Sequence, residues 1–377
     1  MKFVISRVEL AGLLSKLQNV VSQKTTIPVL NNFLLEAAND ELVLSATDLT
    51  VGLRCYTDTK VLEEGATTLP VKKFAALVRE LTCANLEVTC NENSITEIIA
   101  DSSRFRLHGM SKNEFPSLPD FEGAARFVIK QKTLKDMFNR TSFSVSREDN
   151  RYVLTGVLMQ IANGVATFVG TDGKRLARAH VDLDIDKDFA GCYTLPLKAV
   201  DEIVKNLVDD EDETATVYLL EDRVAVEGNH VNLITKLLQG DYPDYNRVIP
   251  ESSETVVTIH VPELTSLLRQ VSLFTSDATH SVRFSFTDGE LKLSANNAEL
   301  GEGQVSMPVN YHGSKLEVAF NPQFFLDILR HCNNERITLG ITDAYNPGVI
   351  TDIDGPLEPG EQPSPLFVLM PMRLNET

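Results

Sequence analysis

No apolar run in the 377 residues approaches the roughly 20 that a helix needs to cross a bilayer. Nothing resembles a signal peptide, because Met1-Lys2 runs straight into the alternating segment Phe3-Val4-Ile5-Ser6-Arg7. A soluble, cytoplasmic protein is expected. Cysteine is scarce and scattered: Cys55, Cys83, Cys90, Cys192 and Cys332 form an odd set without a Cys-x-x-Cys. That argues against a disulfide framework and against zinc, and leaves reduced thiols acting as small apolar side chains. The seven histidines are dispersed, with no His-Glu-x-x-His. There is no Walker-type glycine loop, since Gly301-Glu302-Gly303 lacks the Lys-Ser/Thr ending. Carboxylates do not recur at metal-ligand spacing. Asp172 beside Lys174-Arg175 is a candidate for acid/base or phosphoryl chemistry, but no nucleophile–base pair accompanies it. No catalytic residue, metal or other cofactor is therefore expected.

Positive charge is also in short supply. Thirty-five Lys/Arg against 53 Asp/Glu give a net charge of −18. As a bulk number this disfavours nucleic acid, whose phosphates demand local positive charge. What the chain does have is ordinary globular composition, 43% hydrophobic and 23% charged, enough for two or three cores.

It also has a repeat. Phe3-Val4-Ile5-Ser6-Arg7-Val8-Glu9-Leu10 aligns with Phe127-Val128-Ile129-Lys130-Gln131-Lys132-Thr133-Leu134, and both align with Val257-Thr258-Ile259-His260-Val261-Pro262-Glu263-Leu264. The offsets are 124 and 130 residues, and each copy reads as a short strand entering a helix. The helices share one apolar stripe at i, i+3, i+4: Leu10/Leu13/Leu14, Leu134/Met137/Phe138 and Leu264/Leu267/Leu268. Each helix leads to a serine, Ser22, Ser146 or Ser276. Second helices are expected to open at Leu69-Pro70, Leu195-Pro196 and Asn321-Pro322, since proline suits a first helical turn. Their stripes are Phe74/Leu77, Val200/Ile203 and Leu326/Leu329. A third match, at Thr47-Asp48, Thr171-Asp172 and Asn296-Asn297, falls where strands end in turns.

Alternating runs surround Asn163-Gly164 and Asp288-Gly289, dipeptides that supply the positive φ of two-residue hairpins. The fold class is therefore α+β, with three tandem copies of a unit of two helices against antiparallel strands. Stretches rich in proline and acid near residues 114–122 and 250–254 place the boundaries at 1–122, 123–253 and 254–377.

Charge follows the same division. The predicted helices and flanks (7–24, 70–82, 130–151, 197–208, 261–271 and 322–332) hold sixteen Lys/Arg and nine Asp/Glu, a net of +7, which leaves −25 for the remainder. Most of the positive excess lies in the first two copies. Helices turned to one side would give a basic face for phosphate contact without base reading. Alternatively, lysines on surface helices simply cover apolar neighbours.

On these three copies the sequence resembles the bacterial DNA polymerase III beta subunit, the sliding-clamp family, over essentially its whole length. The resemblance rests on Met1-Lys2-Phe3, Thr25-Thr26-Ile27-Pro28-Val29-Leu30, Gly65-Ala66-Thr67-Thr68-Leu69-Pro70, Arg151-Tyr152-Val153-Leu154-Thr155-Gly156 and Thr171-Asp172-Gly173-Lys174-Arg175-Leu176. Tyr242-Pro243-Asp244-Tyr245-Asn246-Arg247-Val248-Ile249-Pro250 and Val368-Leu369-Met370-Pro371-Met372-Arg373-Leu374 complete it. It implies a head-to-tail homodimeric ring of six units, with helices lining the hole and sheets outside. Closure would also remove sheet edges that invite aggregation. The implied partners are double-stranded DNA without sequence preference, the replicative polymerase, the clamp loader, repair polymerases and other proteins carrying clamp-binding peptides.

The resemblance further implies a peptide groove between the second and third units. Its walls would be Leu154, Thr171, Gly173, Lys174, Arg175, Leu176, Pro243, Arg247, Val248, Val368, Met370, Pro371, Met372 and Arg373. Leu, Val, Pro and Met suit an apolar anchor, and arginines suit polar backbone or acidic flanks. Without the family, Met370-Pro371-Met372 reads equally as a last core strand and tail. Lys174 stands where relatives often carry histidine, and Asn375-Glu376-Thr377 would crowd the rim. The acidic, proline-rich stretch Asp352–Pro365 reads as a solvated loop. For DNA the candidates are Lys24, Arg147, Arg151 and Tyr152 in loops, and Lys72, Lys198 and Lys205 on second helices. At the dimer seam, Phe105 and Leu107 would meet Leu273 and Phe274 of the other copy, flanked by a Lys73–Glu299 ion pair that mainly sets register. A nuclease, or a peptide-binding hub that never encircles DNA, is the alternative.

Overall fold

The computed structural model describes residues 1–21, 26–121, 123–276, 280–352 and 362–373. Among them the expected helices form: α1 (Arg7–Val20), α2 (Val71–Glu80), α3 (Gln131–Ser142), α4 (Leu197–Asn206), α5 (Val261–Ser272) and α6 (Pro322–Arg330). Strands Lys2–Ser6, Ala125–Lys130 and Thr255–His260 run directly into α1, α3 and α5. The stripes are buried as the 3.6-residue period requires, with two shifts. Leu77 and Leu267 are only half-buried, and Val78 and Val271 complete the inward faces of α2 and α5.

The prolines divide into two kinds. Pro322 occupies the first turn of α6, where the side chain of Asn321 accepts from Gln323 N and Phe324 N. Pro70 and Pro196 instead end the preceding strands, Gly65–Pro70 and Gly191–Pro196, one residue before α2 and α4. The Asn163-Gly164 hairpin joins Gly156–Ala162 to Val165–Thr171, with φ of 54° and 77° at the turn.

The chain divides into two compact units that do not coincide with the three copies. The first comprises Met1–Lys135, Leu183–Ile185 and Lys198–Leu237, and the second Asp136–Asp182, Asp186–Leu197 and Leu238–Thr377. Strand pairing across copy boundaries explains this. In the first unit, Val231–Lys236 of copy two pairs antiparallel with Val51–Asp58 of copy one, in the register Leu233↔Leu53. One eight-stranded sheet therefore spans that junction. In the second unit, Arg175–Asp182 of copy two pairs with Leu366–Leu369 of copy three, in the registers Leu176↔Val368 and Arg178↔Leu366, again within an eight-stranded sheet. Copy two is thus shared between two cores.

Each unit has a smaller sheet as well. The first unit's five-stranded sheet ends at Ser103–His108, and the second unit's four-stranded sheet ends at Gly301–Pro308. Beneath the latter lies a dense aromatic core, in which Phe284 packs edge-on to Phe320 at 5.3 Å and stacks on Phe325 at 5.2 Å.

Among the described residues no helix is long and apolar enough to cross a membrane, and no group of three His, Cys, Asp or Glu side chains is placed to hold a metal ion. All five cysteines are free, and burial pushes the thiols of Cys55 and Cys332 up to about 12, far from nucleophilic. Cys192, by contrast, is exposed.

Candidate functional site

The groove candidates all belong to the second unit, where Thr171–Arg175 form a side-chain-capped turn. After strand Val165–Thr171 the chain must reverse, and Thr171 and Asp172 supply the hydrogen bonds that make it do so. Thr171 Oγ1 donates to Arg175 O at 2.6 Å and accepts from Gly173 N at 3.1 Å. Asp172 Oδ1 accepts from Lys174 N at 2.9 Å and Arg175 N at 3.0 Å. Gly173 takes the left-handed conformation (φ 83°). Met370 N then donates to Lys174 O at 2.9 Å, joining the last strand to the turn.

Arg175 is fully engaged inside the chain. Its Nε donates to Asp172 Oδ2 (3.2 Å), its Nη1 to Asp327 Oδ2 (2.8 Å) and its Nη2 to Phe143 O (3.0 Å). The guanidinium also lies over the ring of Phe324, 4.5 Å from its centroid. Its role is to brace the turn against α6. Arg151 shows the reverse. Expected at DNA, it lies beside the turn, its Nη1 2.8 Å from where a Cβ on Gly173 would be.

The apolar candidates fall into two layers. Leu154, Leu176 and Val368 are buried, the last two in a small cluster with Leu158, Val169 and Leu366. Tyr242, Tyr245 and Ile249 pack against that cluster, and burial pushes the Tyr242 hydroxyl well above its usual range. Val248 and Met370, at 44% and 40% exposure, are open to solvent, as is Pro243. Arg247 is exposed in the 3₁₀ turn Tyr245–Val248, its Nε held by Asp244 at 3.0 Å. Met372 N bonds Ala319 O at 2.8 Å, so Pro371 and Met372 are half-buried while Arg373 is exposed. Residues 375–377 lie outside the described residues. The tyrosines were visible in the sequence as the Tyr-Pro-Asp-Tyr motif. Asp327 and Phe324 were missed, because nothing in a sequence links α6 to residue 175.

The stretch Asp352–Pro365 needs correcting at its ends. Asp352 is 4% exposed, and its carboxylate accepts from Asn333 N, Asn334 N and Arg140 Nη1 at 2.7, 3.0 and 3.4 Å. It closes the turn after α6 and is not part of a solvated loop. Ser364 Oγ accepts from His180 N at 2.9 Å, and residues 353–361 lie outside the described residues.

Among the DNA candidates, Lys24 also lies outside the described residues. Arg147 and Tyr152 are exposed, Tyr152 in the 3₁₀ segment Asp149–Thr155, where a loop was expected. Lys72 is exposed on α2. Lys198 and Lys205 are already compensated: Lys198 Nζ donates to Val20 O and to the Asp48 carboxylate, and Lys205 Nζ to Glu202 Oε1 at 2.7 Å.

At the seam, Phe105 and Leu107 are half-buried on the terminal strand Ser103–His108. Leu273 is 73% exposed just after α5, and Phe274 packs on Gly303 of the terminal strand Gly301–Pro308, whose absent Cβ leaves room for the ring. Lys73 and Glu299 are both exposed and, among the described residues, form no ion pair within the chain.

Three family models cover the chain in order: the N-terminal domain of the DNA polymerase III beta subunit over residues 1–119, its central domain over 128–244 and its C-terminal domain over 246–356. The chain belongs to the DNA polymerase III beta subunit family. It is 54% identical to the beta sliding clamp of Chlamydia pneumoniae over 100% of both chains, and 32% identical to that of Haemophilus influenzae over 99% of this chain and 100% of the other. Its fold superposes on the solved clamp of Pseudomonas aeruginosa bound to griselimycin with a TM-score of 0.93, at 28% identity and covering 99% and 100% of the two chains. For the Bacillus subtilis clamp the TM-score is 0.94, at 25% identity and full coverage of both. As a beta subunit the chain is a DNA sliding clamp, a processivity factor and not an enzyme.

Proposed function

We propose that two copies of this chain close head-to-tail around duplex DNA in the cytoplasm. The ring tethers the replicative polymerase, the clamp loader and repair polymerases by their peptides, and sequence-blind phosphate contacts let it slide. The observation that carries this is the pair of sheet ends flanked by the seam residues. Ser103–His108 ends a sheet of five strands and Gly301–Pro308 one of four. Pairing them between copies would give a sheet of about the width of the two eight-stranded ones, sealed by Phe105, Leu107, Leu273 and Phe274, with Lys73 and Glu299 setting register. Three units bounded near 122/123 and 253/254 supply six to the ring.

The peptide seat is the surface around Val248, Met370 and Pro243 over the Leu176/Val368 cluster, with Leu154, Lys174 and Arg373 at its margins. Lys24, Arg147, Tyr152 and Lys72 are the DNA contacts of this reading, and Arg151 is reassigned to the groove. The test is retention after loading: chain loaded on nicked circles should stay bound and should run off the same DNA once linearised. Equal loss from both sinks encirclement and favours a peptide-binding hub. Leu273→Asp should give monomers by sedimentation, and an unchanged mass refutes the seam.

A further inference from the structure

Arg178 lies two residues beyond Leu176 on strand Arg175–Asp182, so both side chains share the sheet face opposite Ala177. It is 7% exposed, yet among the described residues its guanidinium makes no hydrogen bond or ion pair, and Nε is wholly shut from solvent. A buried cation without a counter-charge is costly, and here burial lowers the Arg178 pKa against the opposing pull of Tyr245. The position 124 residues earlier shows what is missing. Arg54 Nη2 donates to the carbonyl of Leu118 at 3.2 Å. In the second unit Arg178 instead lines an open cavity of about 390 Å³ together with Asn246, Ser252, Ser253, Gln362 and Leu366.

We propose that this cavity is a carboxylate-binding site, filled by an acidic side chain of the peptide seated in the neighbouring groove. A carboxylate accepts two parallel bonds from a guanidinium, the strongest neutralisation open to Arg178. The lining also offers hydroxyl and amide side chains, Ser252, Ser253, Asn246 and Gln362, as donors for its remaining lone pairs. Glu251 at the wall opposes a doubly charged group, so a carboxylate suits the cavity better than a phosphate. The occupant follows from continuity: Arg178↔Leu366 is the next same-face pair along the ladder from Leu176↔Val368, the floor of the groove. The source of the carboxylate, though not the site itself, rests on the groove reading.

The experiment uses the full chain at physiological salt, which screens unspecific attraction. Two short fluorescent peptides share a Leu-Phe pair, one flanked on both sides by glutamate and the other by glutamine. Wild type should bind the glutamate peptide about tenfold more tightly. Arg178→Met should reduce that advantage to less than about twofold while leaving the glutamine peptide unchanged, and Arg178→Lys should keep part of it. Equal binding of both peptides to wild type, or an advantage that survives Arg178→Met, overturns the proposal. If neither peptide binds, the groove reading fails and the peptide source with it. Titration of N-acetylglutamate, read by NMR, then decides the site alone: binding lost in Arg178→Met upholds it, and no binding to wild type overturns it. Arg178→Met removes a buried charge that no described residue neutralises and should fold, which unchanged far-UV circular dichroism verifies.

Discussion

The turns at residues 47–51 and 171–175 are built from the same bonds and put to different uses. Leu49 N donates to Thr47 Oγ1 at 3.0 Å, as Gly173 N does to Thr171 Oγ1 at 3.1 Å. Thr50 N and Val51 N donate to Asp48 Oδ1 at 2.9 and 2.8 Å, matching Lys174 N and Arg175 N on Asp172. Beyond the shared backbone they diverge. At the first turn the Asp48 carboxylate takes Lys198 from α4, and Leu118 lies across Gly52, whose Cβ would sit 2.5 Å from Leu118 Cδ2. Leu118 leaves a recess of only about 150 Å³ there. At the second turn Asp172 takes Arg175, and the surface toward Val248 and Met370 stays open. On the proposed reading, the repeated turn borders a peptide seat only in the second unit.

Breaking the second turn should have the largest effect. In Asp172→Ala, Arg175 at 10% side-chain exposure loses one carboxylate and two backbone amides lose their acceptor. A destabilisation of about 2–3 kcal/mol is expected, read as a lower denaturation midpoint, together with weaker peptide binding. Asp48→Ala removes the same two amide acceptors, but Lys198 is 41% exposed and can turn to water. It should lose about 1 kcal/mol, with peptide affinity unchanged. Equal losses at both sites would show that the Arg175 network adds nothing. Gly173→Ala falls between them in stability, because φ of 83° costs a residue with a Cβ about 1–2 kcal/mol. The new methyl also displaces Arg151. Peptide affinity, measured by anisotropy, should therefore fall even under conditions where the chain is fully folded. An unchanged affinity would return Arg151 to the DNA candidates.

The repeat was legible because three stripes of apolar residues share one register, and burial enforces that spacing in any fold. The turn at Thr171-Asp172 was legible for a related reason, since its bonds are local. Arg175 stood out in the sequence, but its bracing contacts did not, because its decisive partners, Asp327 and Phe143, arrive from distant segments. The contact of Arg151 with the Gly173 turn was illegible, since a positive charge in a loop reads as a phosphate contact unless the backbone it covers is known. The compact units were illegible for a topological reason. Copies are a property of sequence, whereas cores follow strand pairing, and Leu233↔Leu53 and Leu176↔Val368 carry that pairing across the copy boundaries.

The smallest effect expected is also the one with opposite sign. Leu49 holds the left-handed position that Gly173 holds in the second turn, with φ of 75° and 44% exposure. A leucine there is strained by about 1–2 kcal/mol, while glycine brings an unfolded-state entropy cost of about 0.5–1 kcal/mol. The side chain is too exposed for its removal to cost much burial. Leu49→Gly should therefore raise stability slightly, by about 0.5 kcal/mol, and leave peptide binding unaltered. A fall of about 1 kcal/mol or more in unfolding free energy would mean that Leu49 is held by packing worth more than its strain. The first turn would then be closed by Leu49 as well as by Leu118, and its contrast with the open second turn would be sharper still.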